Sequence, residues 1–378
     1  MMCAVKILTT HVGSLPGPPY FDAGTVHDDE TLRRDVAWVV DQQRAAGIDV
    51  INEGELTKGG DWLSFLDARL GGFEERPMPA GGSIITKGKD REEFAEFYRY
   101  AAERQTLFFS PDNRIKTVRR YMVATSPITY TGMGALQREM EVFRAIVPDK
   151  QNCFLTSTAP SSLEPYRGNQ FYATTEEFVF ALAEALRVEY EAIVEAGYLL
   201  QIDDAWTAAL WDRIGIDMGL DAFKKYCHVR VEALNHALRN VSEDRVRYHL
   251  CWGSWHGPHA YDISMTHLVD VILEVKATYY SFEAANVRHE HEYHVWQQVK
   301  LPAHKMLLPG VVTHSTDLLE HPELVSERIQ RFARMVGADR VIASTDCGFA
   351  GRTHPQIAWA KLRSLSQGAE LASRALSA

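Results

Sequence analysis

Short apolar runs alternate with amphipathic segments along the chain, and from about Tyr121 onward the alternation is regular. The clearest case is an amphipathic segment at residues 176–196, which is closed by Gly197 and followed at once by an apolar run at 198–202. A helix that ends at glycine and leads directly into an apolar strand is typical of repeated strand–helix units around a parallel sheet. The pattern therefore predicts an α/β protein.

Nine apolar runs have the length and composition of strands, one more than a (β/α)8 TIM barrel requires. They are residues 5–9, 48–52, 121–125, 153–156, 198–202, 246–250, 278–282, 306–311 and 340–344. Residues 71–113 break the pattern with a cluster of glycine and proline and a charged helical run. We predict one TIM-barrel catalytic domain over residues 1–378, with residues 71–113 as an excursion between the second and third strands that covers one barrel end.

The composition excludes several classes of partner. With 46% hydrophobic and 24% charged residues, the chain has enough apolar material for one large core. Its formal net charge of -10 disfavours nucleic acid, since binding to phosphates needs clustered Lys and Arg. No run approaches the roughly 18 apolar residues of a membrane span, and the first ten residues do not have the pattern of a signal peptide. We expect a cytoplasmic protein that binds neither nucleic acid nor membrane.

Five cysteines are spread thinly over the 378 residues, and their odd number does not suit a framework of disulfides. Reduced thiols or metal ligands are the better interpretation. The five are Cys3, Cys153, Cys227, Cys251 and Cys347.

Polar side chains follow many of the predicted strands. In a barrel of parallel strands these carboxyl ends meet at one mouth, where the fold places its chemistry. Strand ends are often polar only because they are solvated, and Asp203, Asp204 and Glu55 have an alternative role as helix-capping or helix-terminal charges. The residues concerned are Ser14, Glu53, Glu55, Asp203, Asp204, Cys251, Glu283, His314 and Cys347.

His249 and Cys251 form the sharpest local pattern. Residues two apart on a strand point to the same side, so both side chains can bind one ion. Cys347 ends another predicted strand and can join them at a barrel mouth. Imidazole and thiolate ligands of this kind suit zinc. The alternative is that Cys251 is an ordinary core residue, as most buried cysteines are.

Seven motifs, in order along nearly the whole chain, resemble the cobalamin-independent methionine synthase family. The resemblance is to its short single-barrel members, to which the epoxyalkane:coenzyme M transferases also belong. The motifs are THVGSLP at residues 10–16, EGE at 53–55, QIDD at 201–204, HLC at 249–251, FEA at 282–284, PGV at 309–311 and DCGF at 346–349.

The resemblance implies a (β/α)8 barrel with zinc at its mouth, bound by a histidine, two cysteines and an exchangeable glutamate. Those ligands correspond to His249, Cys251, Cys347 and Glu283. The residues that hold the amino acid part of homocysteine correspond to Ser14, Glu55 and Asp203. The implied activity is that of a zinc-dependent thiol alkyltransferase, which activates a small thiol as a zinc-bound thiolate to attack the alkyl carbon of a methyl donor or an epoxide.

Two features depart from the methionine synthase pattern. The sequence Asp203-Asp204-Ala205 stands where the family has Asp-Glu-Pro, and the long N-terminal barrel that helps to hold folate polyglutamate is missing. We therefore do not expect methionine synthesis from methyl-folate.

Two histidine-rich segments, WGSWHGPH at 252–259 and RHEHEYH at 288–294, directly follow strands that carry predicted ligands. We predict His256 as a general acid and Arg288 as a cation beside a developing oxyanion, which makes them catalytic together with Glu283. The pattern does not assign His259, His289 and His291. A second metal, a proton shuttle and hydrogen-bonded structure all remain alternatives for them.

Two other functions fit the same residues. A carbon–sulfur lyase acting on a thioether would use the same site in another direction, and the sequence does not fix the direction. A non-catalytic, zinc-stabilised binding protein would have a structural site without an exchangeable position. The oligomeric state is also left open, and a homo-oligomer is allowed.

Overall fold

The computed structural model describes residues 5–22, 27–59, 62–79, 82–107 and 120–377. Cys3, residues 80–81 and residues 108–113 of the predicted excursion lie outside the described residues. In the described ranges, no helix is both long and apolar enough to cross a membrane.

The strands lie in two sheets. Seven of them form a parallel sheet in the order β1-β10-β9-β8-β7-β6-β4, and three form a separate sheet in the order β2-β3-β5. The bounds are β1 Leu8–Thr9, β2 Leu70–Glu75, β3 Met122–Tyr130, β4 Phe154–Thr158, β5 Arg167–Asn169, β6 Leu199–Asp204, β7 Val246–Leu250, β8 Tyr279–Phe282, β9 Met306–Val312 and β10 Ile342–Thr345.

Helices separate the parallel strands, as the alternating pattern predicts. The longest of those between two strands is the one predicted at 176–196, where the Thr174 side chain accepts a hydrogen bond from the Glu177 amide and Gly197 (φ +96°) follows the C-terminus. The bounds are α1 Asp29–Ala45, α2 Lys89–Glu93, α3 Ala95–Arg104, α4 Met133–Ile146, α5 Pro160–Leu163, α6 Thr175–Glu195, α7 Ile216–Met218, α8 Leu220–Ala237, α9 Met265–Ile272, α10 Val295–Gln298, α11 Pro322–Val336 and α12 Pro355–Ser377. The predicted α/β class is thus confirmed.

The parallel sheet is strongly curled. Three strands separate β7 from β1, yet Arg247 on β7 donates hydrogen bonds to Thr10 Oγ1 (3.1 Å) and to the His11 carbonyl (2.9 Å), directly after β1. The same guanidinium lies 3.8 Å from the ring centre of Phe154 on β4. Gln201 on β6 also reaches across, and donates to the Val12 carbonyl. Polar side chains therefore fill the concave side and join its opposite edges.

Two of the nine predicted strands differ from the prediction. The run at 121–125 does not join the parallel sheet, because Met122–Tyr130 pairs antiparallel with Leu70–Glu75 and parallel with Arg167–Asn169. The run at 48–52 contributes a single bridge, Ile51 to Cys153, rather than a ladder. An apolar run indicates a strand but not its partner, which is decided by distant parts of the chain.

Part of the predicted excursion contacts the loop that follows β7. The Ala260 amide donates to Asp90 (2.9 Å), the Trp255 indole donates to the Tyr98 hydroxyl (3.1 Å), and the His256 amide donates to the Leu107 carbonyl (2.6 Å). The segment at 89–107 therefore lies at the carboxyl end of β7. The boundaries 71–113 and the single-domain organisation stay predictions.

A buried ionic network lies between this carboxyl edge and the helices outside it. Glu139 on α4 forms ion pairs with Lys58 (3.0 Å) and with Arg69 (2.7 Å), and Arg69 also pairs with Glu189 on α6 (3.0 Å). Lys58 in turn donates to Thr156 Oγ1 on β4 (2.8 Å). All of these charged groups are buried, so each relies on its partners for compensation.

We expect Glu139→Ala to destabilise the protein by roughly 3–5 kcal/mol, because two buried cations lose a carboxylate that compensates both. Glu141→Ala, an exposed position on the same helix, should change stability by no more than about 0.5 kcal/mol. Chemical denaturation of the two variants compares them directly. Equal midpoints would contradict a stabilising role for this network.

Candidate metal centre

Three predicted ligands meet at the carboxyl edge of the curled sheet. His249 lies near the end of β7, Cys251 directly follows this strand, and Cys347 follows β10. One donor atom from each lies within 4.8 Å of the other two, and all three residues are buried. Because β8 and β9 lie between β7 and β10, the group forms only where the sheet curls.

The surroundings of His249 fit a metal ligand. Its Nδ1 lies 3.0 Å from Ser281 Oγ on the neighbouring strand β8, while its buried Nε2 has no hydrogen-bond partner among the described residues. An unpartnered buried nitrogen costs free energy unless something binds it. A metal-binding histidine commonly has its second nitrogen held in this way. With two thiols beside it, the donor set matches the ligands that zinc prefers.

The two thiols have unequal electrostatics. Interaction with the Cys251 thiol, together with the positive charge of Arg352 and interaction with His249, holds the pKa of Cys347 well below its usual range. The same interaction and burial raise the pKa of Cys251. The Gly253 amide donates to Cys251 Sγ (3.2 Å), and Ser254 Oγ lies 3.0 Å from that sulfur. Without a metal, the pair therefore favours one thiolate, at Cys347, and one protonated thiol, at Cys251.

Glu283 lies beside the three ligands. Its Oε1 accepts from the Trp252 amide (3.0 Å) and lies 3.6 Å from Cys251 Sγ, while its Oε2 accepts from Asn286 (2.7 Å). It is not part of the group of three whose donor atoms are mutually within 4.8 Å. Burial raises its pKa. Its roles as an exchangeable ligand and as a catalytic residue stay predictions.

Ser14 and Glu55 pack against glycines of the family motifs. A Cβ atom on Gly348 would lie 2.0 Å from Ser14 Oγ, and one on Gly13 would lie 2.3 Å from Glu55 Oε1. Thr156 donates to Glu55 Oε1 (3.0 Å). A side chain at either position would clash, so both close approaches need glycine. The approach of Gly348 to Ser14 brings the ends of β1 and β10 together.

Asp203 and Glu55 form an acidic side of the site. Burial and the charge of Asp203 raise the pKa of Glu55 to about 8. Burial also raises the pKa of Asp203 to about 6, although the positive charge of His249 opposes this shift. Both carboxyl groups are thus costly to ionise without a cationic partner. Their roles in substrate binding, with that of Ser14, stay predictions.

Asp204 rather than Asp203 accepts from the backbone amides that follow, and these belong to a turn at residues 205–209 and not to a helix. Asp204 accepts from the amides of Trp206 (3.3 Å) and Thr207 (2.9 Å), as well as from the Tyr248 hydroxyl (2.8 Å). Asp203 instead accepts from Gln201 on its own strand (2.8 Å). Neighbouring aspartates thus have separate surroundings.

His256 and Arg288 lie in different surroundings. The Nε2 atom of His256 is buried and has no hydrogen-bond partner, and burial with the charge of Arg352 lowers its pKa. Arg288 is exposed, and its guanidinium donates to the Ala260 carbonyl (2.8 Å). The predicted catalytic roles of both residues stay predictions.

Two of the unassigned histidines belong to a carboxylate network. Asp262 Oδ2 lies 2.9 Å from His259 Nδ1 and 3.0 Å from His289 Nε2, and His289 Nδ1 lies 3.0 Å from Glu292. The hydrogen bonds with Asp262 and Glu292 outweigh the effect of burial and raise the pKa of His289 to about 10. Hydrogen-bonded structure that joins two loops accounts for these two residues, whereas His291 is exposed.

Arg352 and Lys58 are neighbours of the site that the sequence pattern does not reveal. Arg352 follows Cys347 by five residues, and His256 follows Cys251 by the same number. This repeated spacing is a sequence signal that could have pointed to Arg352. Lys58 has no comparable signal, because a lysine in a polar segment is normally exposed.

The chain is similar to several known proteins. A family model described as the catalytic domain of cobalamin-independent synthase matches residues 169–371, which is over half of the chain. The methionine synthase of Thermococcus kodakarensis is 25% identical over 222 residues, a match that spans 58% of this chain and 57% of that protein. The 2-hydroxypropyl-CoM lyase of Xanthobacter autotrophicus is 22% identical over 97% of this chain and 95% of its own length.

The fold is also similar to that of a solved structure. This is a B12-independent methionine synthase from Shewanella sp. W3-18-1 in complex with selenomethionine, with a TM-score of 0.69 and 17% identity over 98% of this chain and 99% of that one. Residues 169–371, which the family model matches, contain β6 to β10 and hence all three clustered ligands. The resemblance noted in the sequence is therefore confirmed. The chain belongs to the cobalamin-independent methionine synthase family.

Proposed function

We propose that the protein is a zinc-dependent thiol alkyltransferase in which His249, Cys251 and Cys347 hold the metal. One observation carries this proposal: three buried donors lie within 4.8 Å of one another, and His249 Nε2 has no hydrogen-bond partner in the part of the chain that the structure describes. Glu283 beside Cys251 is the candidate for an exchangeable fourth ligand. Family membership supports the same assignment.

Zinc at this site would lower the pKa of a substrate thiol. The ordinary pKa of a thiol is near 8.5, so a free thiol is mostly protonated at neutral pH. The protein groups around it would position the reactants. Glu55 and Asp203 are suited to a cationic amino group, since a cation would relieve their buried charge. The Trp252 amide and Asn286 hold the Glu283 carboxylate next to Cys251. The partners we propose are a small thiol and an alkyl donor.

A carbon–sulfur lyase acting on a thioether is the second candidate. It is favoured by the similarity to the 2-hydroxypropyl-CoM lyase, which extends over 97% of this chain. Both functions make or break a bond between carbon and a substrate sulfur held in one place. The same residues would serve either direction.

We further propose that the curled sheet closes as an eight-stranded barrel through residues 48–52. Support comes from backbone hydrogen bonds on both sides of this segment: the Val50 amide donates to the Thr9 carbonyl (3.0 Å), and the Phe154 amide donates to the Ile51 carbonyl (3.0 Å). Closure here would place Glu53 and Glu55 at the same mouth as the three ligands.

We expect the purified protein to contain about one zinc per chain and to lose most of it in Cys251→Ser and Cys347→Ser. Cys227→Ala is the matched control, because Cys227 is buried but lies outside the group of three. Elemental analysis of all four proteins measures this. Full zinc in both serine variants would refute the assignment.

Adding a thiol to the zinc-loaded protein should add one sulfur neighbour and remove one oxygen neighbour, because Glu283 is proposed to exchange. X-ray absorption of wild type and Glu283→Gln measures the change, and the variant should retain more zinc than either cysteine variant. Turnover with a panel of thiols, and with an epoxide, methyl-folate and methyl-cobalamin as donors, then tests the function. Unchanged coordination on adding thiol would count against the alkyltransferase proposal.

We expect Glu55→Gln to stabilise the ligand-free protein at pH 8 much more than at pH 5. Since the folded pKa is raised to about 8 from an ordinary 4.5, the folded state keeps a proton that the unfolded chain releases. The contribution of Glu55 to the free energy of unfolding is therefore fully present below about pH 4.5. It falls by about 1.4 kcal/mol per pH unit until about pH 8. Melting temperatures at both pH values, with exposed Glu141→Gln as the control, measure this. An equal gain at both pH values would show that Glu55 ionises normally.

A further inference from the structure

Three nitrogen atoms in the loops at the carboxyl edge lack a hydrogen-bond partner in the part of the chain that the structure describes. They are Arg352 Nε, His256 Nε2 and His314 Nδ1, and each atom is buried. The residues follow β10, β7 and β9 respectively, so three separate loops at the carboxyl edge supply them. A buried N–H without an acceptor is costly, and a charged one more so, which makes such a group unusual unless a ligand completes it.

Arg352 is the charged member of this group. Its Nη1 lies 3.4 Å from the Gly348 carbonyl, which fixes the guanidinium beside the residue that follows Cys347. Its positive charge lowers the pKa of Cys347, of His314 and of His256, although burial is the larger cause for both histidines. Arg352 therefore acts electrostatically on all three residues.

The two histidines are neutral partners rather than additional cations. The pKa of His314 is lowered to about 3, and that of His256 also falls below its ordinary value. A neutral imidazole can still donate one hydrogen bond. Of the carboxylates nearby, Asp317 acts on His256 from an exposed position and does not appear as an ion pair of Arg352. The guanidinium thus supplies the positive charge of this side.

The ligands have acidic and basic neighbours. The charge of Asp203 raises the pKa of Glu55, His249 and Cys347 both act on the pKa of Asp203, and Arg352 lowers the pKa of Cys347. Arg288, the arginine singled out by the sequence, is exposed and already bound to the Ala260 carbonyl. Among these groups, Arg352 is a partly buried cation whose buried Nε has no hydrogen-bond partner in the described residues.

We propose that Arg352, assisted by His256, forms a subsite for an oxyanion, the carboxylate or sulfonate of a substrate bound beside Cys347. Arg352 is then a specificity-determining residue of the proposed alkyltransferase, and the inference rests on that function for the identity of the substrate. A planar guanidinium matches either head group with paired hydrogen bonds. The histidine N–H adds a neutral donor to the same oxygens.

Calorimetric titration of the zinc-loaded protein tests the subsite with three short thiols: 2-mercaptoethanesulfonate, 3-mercaptopropionate and neutral 2-mercaptoethanol. Arg352→Gln should weaken binding of the two anionic thiols by roughly tenfold to a hundredfold and leave the neutral thiol within about twofold. His256→Gln should show a smaller loss in the same direction. The relative affinity of the two anions identifies the preferred head group.

Arg363→Gln is the matched control, since Arg363 is an exposed arginine on α12. Circular dichroism checks folding, and Arg352→Lys, which keeps the charge but loses the paired donors, serves if the glutamine variant does not fold. It should retain part of the anion preference. An unchanged ratio of anionic to neutral affinity in the folded Arg352 variants would overturn the subsite, whatever happens to binding overall.

The sulfur-free anions ethanesulfonate and propionate separate this inference from the proposed function. They need no metal, so their binding to wild type and its loss in Arg352→Gln would support the subsite even if no thiol reached zinc. The opposite result, thiol coordination with no dependence on Arg352, would leave the alkyltransferase proposal intact and remove the subsite.

Discussion

The parallel pairing of seven strands is the constraint on which the rest of the structure depends. It gives all the strands one polarity, so their carboxyl ends share an edge, but in a flat sheet β7 and β10 would lie far apart there. Curling brings His249, Cys251 and Cys347 within 4.8 Å. The hydrogen bonds of Arg247 to the residues after β1 join the edges of the concave side, so a buried cation below the site helps to fix its geometry.

Much of the site could be predicted because its signals are local. The period of two along a strand places His249 and Cys251 on one side, and the strand–helix alternation predicts where Cys347 and Glu283 fall. Partners that depend on long-range packing could not be predicted. The run at 121–125 has strand composition whichever sheet it joins, and an arginine in a polar loop, such as Arg288 or Arg352, becomes exposed or buried only through the way distant loops pack.

Burying so many ionisable groups together has a cost in stability. Within the described residues, no cation is bonded directly to the oxygens of Glu55 and Asp203. Lys58 lowers the pKa of both, but it is itself paired with Glu139 and bonded to Thr156. The region thus contains two kinds of buried ionisable group. The charges of one network compensate one another, whereas the carboxyl groups of Glu55 and Asp203 are unfavourable to ionise. The network consists of Lys58, Arg69, Glu139 and Glu189. Sites of binding and catalysis commonly show this local conflict between stability and function.

The fluorescence of Trp252 depends on the groups around the proposed metal centre. Its backbone amide holds Glu283, its indole donates to the Ile263 carbonyl (2.8 Å), and its ring centre lies 4.3 Å from that of His289. A cationic imidazole so close to an indole quenches its fluorescence, and the pKa of about 10 keeps His289 charged at neutral pH. Movement of Glu283 would shift the segment that carries Trp252 relative to His289. Emission from one of the eight tryptophans would therefore follow the ligand environment in real time, without any added label.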